Sequence, residues 1–226
     1  MKYLPINLDV QARPCLVVGG GEVGQRKVQG LLRSGARVRL VSTELTQGLR
    51  DLIEAGQVEL LGRRYQSKHL EGVALAFACA DDSEINTQVS RDAKEQGIWV
   101  NVADNPELCS FTLPASIYRG DLIISVSTSG RSPALAARIR ARLENEFGPE
   151  YERFLELMGR IRTKVQAEGR LAEENRELFL RLVDSDLIEA LAQNNLARAE
   201  ETVVRILGPA YTLNALGFKA AGEKRS

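Results

Sequence analysis

A glycine-rich segment near the N-terminus has the spacing of a dinucleotide-binding turn. Residues 19–24 read Gly-Gly-Gly-Glu-Val-Gly, directly after a short apolar run and directly before a segment with helical periodicity. Glycines at this spacing permit a tight turn and let the backbone approach a pyrophosphate at the start of a helix. The motif alone is a weak signal, but the flanking strand and helix strengthen it. We therefore predict that a dinucleotide contacts Gly19, Gly21, Glu22, Val23 and Gly24.

The residue that would bind the adenosine ribose is less well determined. Glu44 lies twenty residues beyond Gly24, where the fingerprint requires an acidic side chain. The second predicted strand ends near Ser42 and Thr43, so Glu44 could equally begin the next helix, where a carboxylate is favourable without any ligand. Both interpretations stay open, and the preference for NAD over NADP depends on the first.

Two polar segments follow later strand-like runs. Ala80 and Asp81 follow the fourth run, and Asn101 and Asp104 follow the fifth. Ligands of α/β sheets bind beyond the carboxyl ends of the strands. On spacing alone, turn and cap chemistry is the favoured explanation of Asp and Asn at such places. Its position nevertheless makes Asp104 the candidate base, because a carboxylate near the cofactor could accept a proton while a hydride leaves.

The elements that must position these residues alternate between strand and helix over the first half of the chain. We predict strands at 15–18, 37–41, 58–61, 73–80 and 98–100, and helices at 22–33, 44–55 and 83–96, the last capped by Ser83. This alternation predicts a Rossmann-type, doubly wound parallel sheet.

The pattern changes after residue 104. Two strand-like runs, 111–118 and 121–127, are joined by Arg119 and Gly120, and a helix follows at 133–146. Helical periodicity continues beyond Gly148. We therefore predict a Rossmann domain at 1–112, a strand-helix segment at 113–148, an all-helical module at 149–218 and a disordered tail at 219–226.

Composition limits the classes of protein that remain. Thirty basic and thirty acidic side chains cancel, so we expect no nucleic-acid partner, and no apolar stretch is long enough to span a membrane. The N-terminus has no signal-peptide core. The three cysteines, Cys15, Cys79 and Cys109, are expected to be small buried side chains in a reducing compartment, which indicates the cytoplasm. The single histidine, His69, is expected to be a solvated loop residue, and no metal-binding motif is present.

Taken together, these residues resemble the siroheme synthase N-terminal family, the precorrin-2 dehydrogenases that often double as sirohydrochlorin ferrochelatases. The resemblance covers residues 1 to about 145. The matching residues are Leu4-Pro5-Ile6, residues 17–24, Arg26-Lys27, Ala80-Asp81-Asp82, Asn86, Asn101-Val102, Asp104, Ser110-Phe111, Pro114, residues 127–130 and Ser132-Pro133.

The resemblance implies a function and a site. Its aspartate, which would serve both dehydrogenation and metal insertion, falls on Asp104, and its nucleotide contacts fall on Glu22-Val23, near Thr43-Glu44 and near Ala80-Asp81. It also implies a homodimer formed through the strand-helix segment. The tetrapyrrole substrate is a polycarboxylate, which arginines and a helix N-terminus would suit. The expected substrate contacts are Asn101, Ser127, Thr128, Ser129, Gly130, Arg131, Ser132 and Arg138.

The implied reaction converts precorrin-2 to sirohydrochlorin with NAD as hydride acceptor. The resemblance also implies ferrous iron as a second substrate of the bifunctional members, in which the macrocycle itself would coordinate the iron and the protein would need no metal site of its own. Some family members carry a phosphorylated serine in the 127–132 loop, where this chain has Thr128.

Two other functions remain as alternatives. The first is an NAD(P)-dependent oxidoreductase of a small substrate, which would need a Tyr/Lys or His/Asp catalytic set in the second half. The second is a non-catalytic NAD-sensing module, which would need an output domain such as a basic DNA-binding helix. The C-terminal helices instead alternate Glu and Arg.

Overall fold

The computed structural model of the chain describes residues 2–169 and 172–219, with the backbone alone for residues 172–174. The chain divides into two compact units, Met1–Leu113 and Pro114–Ser226. The predicted three-part division with boundaries at 112 and 148 stays a prediction. Residues 220–226, which make up nearly all of the predicted disordered tail, lie outside the described residues.

The first unit contains a five-stranded parallel sheet with the order β3-β2-β1-β4-β5. This is the strand order of the first five strands of a Rossmann sheet, and it reverses between β1 and β4. The strands and helices are β1 (Pro14–Val18), α1 (Glu22–Arg33), β2 (Arg37–Val41), α2 (Gln47–Glu54), β3 (Val58–Gly62), β4 (Leu75–Ala78), α3 (Ser83–Glu95) and β5 (Trp99–Val102). Short 3-10 helices occupy Ser67–Leu70 and Pro106–Leu108.

Both faces of the sheet are buried by helices. On one face, Val17 and Leu40 pack with Val28 of α1 and Leu49 of α2. On the other face, Leu16 and Ala76 pack in a cluster that includes Val89 and Ala93 of α3. Because alternate residues of β1 enter opposite clusters, the strand reads as a continuous apolar run rather than an alternating one. The predicted doubly wound fold is confirmed.

Several predicted boundaries are wrong in detail. The second helix begins at Gln47 rather than residue 44, because Thr46 is its N-cap and accepts a hydrogen bond from the Leu49 amide. The N-cap of α3 is Asp82, not Ser83, and its carboxylate accepts from the Glu84 amide at 2.8 Å. The fourth strand is limited to Leu75–Ala78, although the apolar run continues beyond both of its ends.

The second unit begins with an antiparallel pair, β6 (Ala115–Arg119) and β7 (Leu122–Val126), followed by α4 (Pro133–Glu146). Both strands are shorter than predicted, and Gly120, at φ +56°, forms the turn between them. The Arg119 guanidinium ties the hairpin to the end of α4 by donating from Nε to the Phe147 carbonyl at 2.9 Å.

Four more helices complete this unit. They are α5 (Glu150–Ala167), α6 (Ala172–Val183), α7 (Leu187–Ala192) and α8 (Leu196–Leu207). Leu157 and Ile161 of α5, Leu187 of α7 and Val203 of α8 meet in one fully buried cluster. The predicted all-helical C-terminal region is confirmed. Within the described part of the chain, no helix is both long and apolar enough to cross a membrane.

Candidate active site

The residues predicted for cofactor binding and catalysis converge on the carboxyl edge of the five-stranded sheet. Residues 19–24 follow β1, Thr43 and Glu44 follow β2, Ala80 and Asp81 follow β4, and Asn101 and Asp104 lie at the end of β5 or just beyond it. The strands that carry them are all parallel, so their carboxyl ends share one edge. This is the edge at which sheets of this class bind ligands.

Close backbone contacts leave no room for a side chain at Gly19 or Gly24 of the glycine turn. Gly19 has φ +110°, and a Cβ there would lie 2.3 Å from the Cys79 carbonyl oxygen. A Cβ on Gly24 would lie 2.0 Å from the Gly19 carbonyl oxygen. The two glycines therefore allow β1, the end of β4 and α1 to approach one another.

The start of α1 is suited to a pyrophosphate. Gly21 is the exposed N-cap of the helix, and a Cβ built on it would meet open space. The next three amides, those of Glu22, Val23 and Gly24, have no partner within the helix by its geometry. Free amides and the positive end of the helix dipole are what a diphosphate requires.

Two hydrogen bonds fix the conformation of the segment after β2. The Ser42 hydroxyl donates to the Glu44 carbonyl at 2.6 Å, and the Thr46 amide donates to the Gly20 carbonyl at 3.0 Å. Glu44 therefore belongs to a turn three residues before α2, and the interpretation of Glu44 as a helix-start residue is wrong. The side chains of Thr43 and Glu44 are exposed. Their contact with the ribose stays a prediction.

Asn86 fixes the turn that carries Ala80 and Asp81. Its buried side chain accepts from the Ala80 amide at 3.0 Å and donates to the Ala80 carbonyl at 2.8 Å. These two bonds hold the chain directly beside Gly19, because a Cβ on Gly19 would lie 2.6 Å from the Ala80 nitrogen. The sequence argument gave Asn86 no role, since its position on the inner side of α3 depends on the packing of that helix.

A cavity of about 460 Å³ opens between α1 and the loop that follows β5. Its volume lies in the ordinary range for small-molecule sites. Asp104 contributes an exposed carboxylate and has φ +60°, a left-handed conformation that Asp and Asn tolerate better than most residues. The lining residues are Val23, Arg26, Lys27, Asn101, Val102, Ala103, Asp104, Asn105, Pro106, Cys109, Thr112 and Leu113.

The side chains of Cys109 and Asn101 hold the loop that carries Asp104. The Cys109 sulfur accepts from the Val102 amide at 3.2 Å and lies 3.3 Å from both the Val102 and the Asn105 carbonyl oxygens. The Asn101 amide nitrogen donates to the Phe111 carbonyl at 3.0 Å. Asn101 thus has a structural role in addition to lining the cavity.

Two cations, Arg26 and Lys27, share the cavity with Asp104. Both cations also affect the pKa of the buried Cys79 thiol. Burial raises the pKa of Cys79 to about 11, Lys27 and Arg26 act to lower that pKa, and Asp104 acts to raise it. From the sequence, Arg26 and Lys27 are residues that match the family but have no predicted role in the site. Their spacing from Val23 places all three on one helix face, but it does not show that this face points at the cavity.

The predicted substrate loop lies in the second unit and uses its hydroxyls locally. Thr128 Oγ1 accepts from the Ser132 amide at 3.1 Å, and Ser127 Oγ accepts from the Ser129 amide at 3.2 Å. Ser132 caps α4 by accepting from the Leu135 amide at 3.3 Å. Gly130 has φ +79°, and the Arg131 and Arg138 side chains are exposed. Substrate contact by this loop stays a prediction.

Two expectations about isolated residues need correction. His69 is not a solvated loop residue: it is half-buried in the 3-10 helix at Ser67–Leu70, and its Nδ1 accepts from the Gln66 amide at 3.2 Å. Cys15 and Cys79 are buried as expected, but Cys109 is only half-buried. Within residues 2–169 and 172–219, no group of three or more His, Cys, Asp or Glu side chains could hold a metal ion.

Comparison with known proteins assigns the two parts of the chain to families. Residues 6–115 match the family "Putative NAD(P)-binding", and residues 119–146 match the family "Sirohaem biosynthesis protein central". Over residues 6–146 the chain belongs to the siroheme synthase family. The predicted family resemblance is confirmed, and the first unit is an NAD(P)-binding domain.

Individual relatives agree with this family. The siroheme synthase of Nitrosomonas europaea is 41% identical over 180 residues, which cover 79% of this chain and 38% of that protein. The siroheme synthase of Pseudomonas paraeruginosa is 40% identical over 223 residues, which cover 99% of this chain and 47% of that protein. The chain thus spans less than half the length of these siroheme synthases.

One solved structure shares the fold. SirC, a precorrin-2 dehydrogenase, superposes with a TM-score of 0.74 at 23% identity, and the match covers 90% of this chain and 98% of SirC.

Proposed function

We propose that this chain is an NAD-dependent precorrin-2 dehydrogenase of siroheme biosynthesis. The observation that carries the proposal is Asp104, an exposed carboxylate in a cavity on the same sheet edge as the dinucleotide turn. The names of the relatives, siroheme synthase and precorrin-2 dehydrogenase, support the choice of substrate. A small-substrate oxidoreductase lacks such support.

In this proposal, residues of the glycine turn bind the cofactor and Asp104 accepts a proton. Bound NAD+ supplies the hydride acceptor. The amides of Glu22, Val23 and Gly24 would donate to its pyrophosphate, and Gly21 leaves the approach open. As precorrin-2 gives up a hydride, the Asp104 carboxylate accepts the proton lost from the same substrate, and sirohydrochlorin results. Glu44, beyond β2, favours NAD over NADP because a carboxylate repels a 2′-phosphate.

The protein acts as a homodimer formed through the second unit. The support is an apolar surface on the hairpin and α4. Tyr118 and Ile123 are directly paired across the two strands and are 54% and 46% exposed, and Leu135 and Ile139 of α4 are also exposed. Exposed apolar side chains on neighbouring elements are typical of an interface. We place the enzyme in the cytoplasm, where the three free thiols would stay reduced.

The test is anaerobic incubation of the purified protein with precorrin-2 and NAD+, following NADH absorbance and the sirohydrochlorin spectrum. The diagnostic variant is Asp104→Asn, because asparagine tolerates the left-handed backbone that alanine would strain. We expect the rate to fall by about 10²- to 10⁴-fold, with NAD+ affinity retained. Glu107→Gln, which removes an exposed carboxylate from the adjacent 3-10 helix, is the matched control and should keep the wild-type rate.

The outcomes separate the alternatives. A wild-type protein that binds NAD+ but does not oxidise precorrin-2 would refute the proposal and favour the small-substrate or NAD-sensing function. An unchanged rate in Asp104→Asn would remove this residue from the mechanism. A parallel reaction with ferrous iron tests chelation, since siroheme formed faster than without enzyme would make iron a second substrate. Replacing NAD+ by NADP+ tests the cofactor preference.

A further inference from the structure

The cavity beside Asp104 contains two cations for which the dehydrogenation mechanism has no use. Arg26 and Lys27 lie in the second turn of α1, three and four residues after Val23, so all three share the helix face that lines the cavity. In the portion of the chain that the structure describes, neither cation forms an ion pair or a hydrogen bond. Lys27 Nζ instead lies 5.6 Å from the centre of the Phe77 ring.

The cations are separate from the pyrophosphate site. None of residues 19–22 lines the cavity, and Val23 is the only residue of the 19–24 turn that does so. Arg26 and Lys27 lie two to five residues further along α1, about 3 to 8 Å beyond the free amides. A dinucleotide bound at the helix start would therefore leave the two cations available to a second ligand.

The charge of the cavity indicates the chemistry of that ligand. Arg26, Lys27 and Asp104 are its only charged lining residues. A polyanion approaching Asp104 alone would be repelled, whereas the two cations reverse the local charge and provide donors. Arginine binds carboxylates with paired N–H groups, and lysine adds a point charge.

We infer that Arg26 and Lys27 bind a carboxylate side chain of the substrate and thereby hold the substrate ring against Asp104. The inference rests on the proposed function and names the part of the site that would recognise the acidic periphery of the macrocycle. It also adds cations of the first unit to the predicted substrate contacts, among which Arg131 and Arg138 of the second unit were the only cations.

The test uses uroporphyrin III, an air-stable fluorescent porphyrin that carries acetate and propionate side chains, as the binding probe. The variants are Arg26→Gln, Lys27→Met and the double substitution. Methionine keeps an apolar stem over Phe77. Arg33→Gln removes an exposed cation from the last turn of the same helix, outside the cavity, and is the matched control. The fluorescence of Trp99 in β5 verifies on the same samples that the first unit is folded, and NAD+ affinity is measured separately.

We expect each single substitution to weaken uroporphyrin binding about tenfold and the double substitution about a hundredfold at low salt, with smaller losses at high salt. Arg33→Gln should stay within about twofold of wild type. Coproporphyrin III, in which methyl groups replace the acetates, should bind the wild type more weakly and discriminate less between variants. With precorrin-2, KM should rise far more than kcat falls.

Unchanged uroporphyrin affinity in the folded double variant would overturn the inference. A loss of NAD+ affinity equal to or larger than the loss of porphyrin affinity would also overturn it, since the pair would then serve the cofactor. The proposed function fails separately: a wild type that binds uroporphyrin through the two cations but does not oxidise precorrin-2 would retain the inference and refute the dehydrogenase.

Discussion

Replacing Asn86 by alanine tests whether one buried amide holds the nucleotide turn. The substitution removes both hydrogen bonds to Ala80, at 3.0 and 2.8 Å. Each such bond contributes about 1 kcal/mol net. Because Ala80 is only half-buried, water can reach its freed groups in part, so we add no further penalty for unsatisfied groups. We therefore expect a loss of about 2 kcal/mol, a change of about thirtyfold in the unfolding equilibrium.

The loss can be measured in the first unit alone. Trp99 is the only tryptophan of the chain and lies in β5, so its fluorescence during guanidinium unfolding reports on this unit. NAD+ affinity should fall about tenfold as well, since binding must then order a turn that Asn86 no longer holds.

Two further variants sharpen the result. Asn86→Asp keeps the acceptor for the Ala80 amide but sets a carboxylate oxygen against the Ala80 carbonyl, so it should be at least as destabilising as alanine at neutral pH. Thr87→Ala, at the exposed neighbouring position, should change stability by less than about 0.5 kcal/mol. A loss below about 0.5 kcal/mol in Asn86→Ala, with unchanged NAD+ affinity, would show that Asn86 does not hold the nucleotide turn.

Three other predictions follow from the structure. Gly24→Ala should abolish NAD+ binding and lower the melting temperature, because its Cβ would lie 2.0 Å from the Gly19 carbonyl oxygen. Stability should decline as the pH falls below 6.5, since burial and, secondarily, Lys68 lower the pKa of His69. The folded state thus binds the proton more weakly than the unfolded state. The contribution of His69 to the free energy of unfolding is therefore fully present only above the pKa that it has in the unfolded state. Ile123→Glu should convert a homodimer to a monomer, measured by light scattering, because it places a charge in the exposed apolar surface.

Each of these predictions has a control. Gly30→Ala, in the same helix but with the Arg33 guanidinium 3.9 Å from the added Cβ, should be stabilising by up to about 1 kcal/mol. A similar loss in both glycine variants would contradict the close-contact explanation. His69→Gln should flatten the acid decline, and an unaltered profile would assign it to other groups. Gln193→Glu adds the same charge at the exposed end of α7, outside the hairpin and α4, and equal dissociation in both variants would argue against an interface at the hairpin.

The sequence predicts an element well where local chemistry and tertiary structure agree. The bounds of α4 follow from Pro133 in its first turn, Ser132 as its cap and the Gly148-Pro149 break. The start of α2 was missed because Glu44 and Leu45 are acceptable helix residues, while the tertiary bond from the Thr46 amide to Gly20 keeps them in a turn. That bond joins residues far apart in the sequence, so no local sequence pattern predicts it.

The same distinction applies to the site. Residues at strand ends, such as Asp104 and Ala80, could be predicted because a parallel sheet brings its carboxyl ends together. Arg26, Lys27 and Asn86 could not, because their roles depend on the direction in which a helix face points once the helix has packed. Cys109 is expected from the sequence to be a buried apolar side chain. Its hydrogen bonds with the backbone of Val102 and Asn105 depend on the conformation of the folded loop.

A sulfur atom at the base of the Asp104 loop makes the loop sensitive to oxidation. The Cys109 thiol contacts one backbone amide and two carbonyls, all between 3.2 and 3.3 Å. Oxidation to a sulfenic or sulfinic acid adds oxygen to this crowded atom, and the sulfinic form is not reversed by ordinary thiols. The added oxygen would lie against the Val102 and Asn105 carbonyls and displace the loop. Preparations exposed to air would then lose activity in proportion to thiol oxidation, even with every catalytic side chain intact.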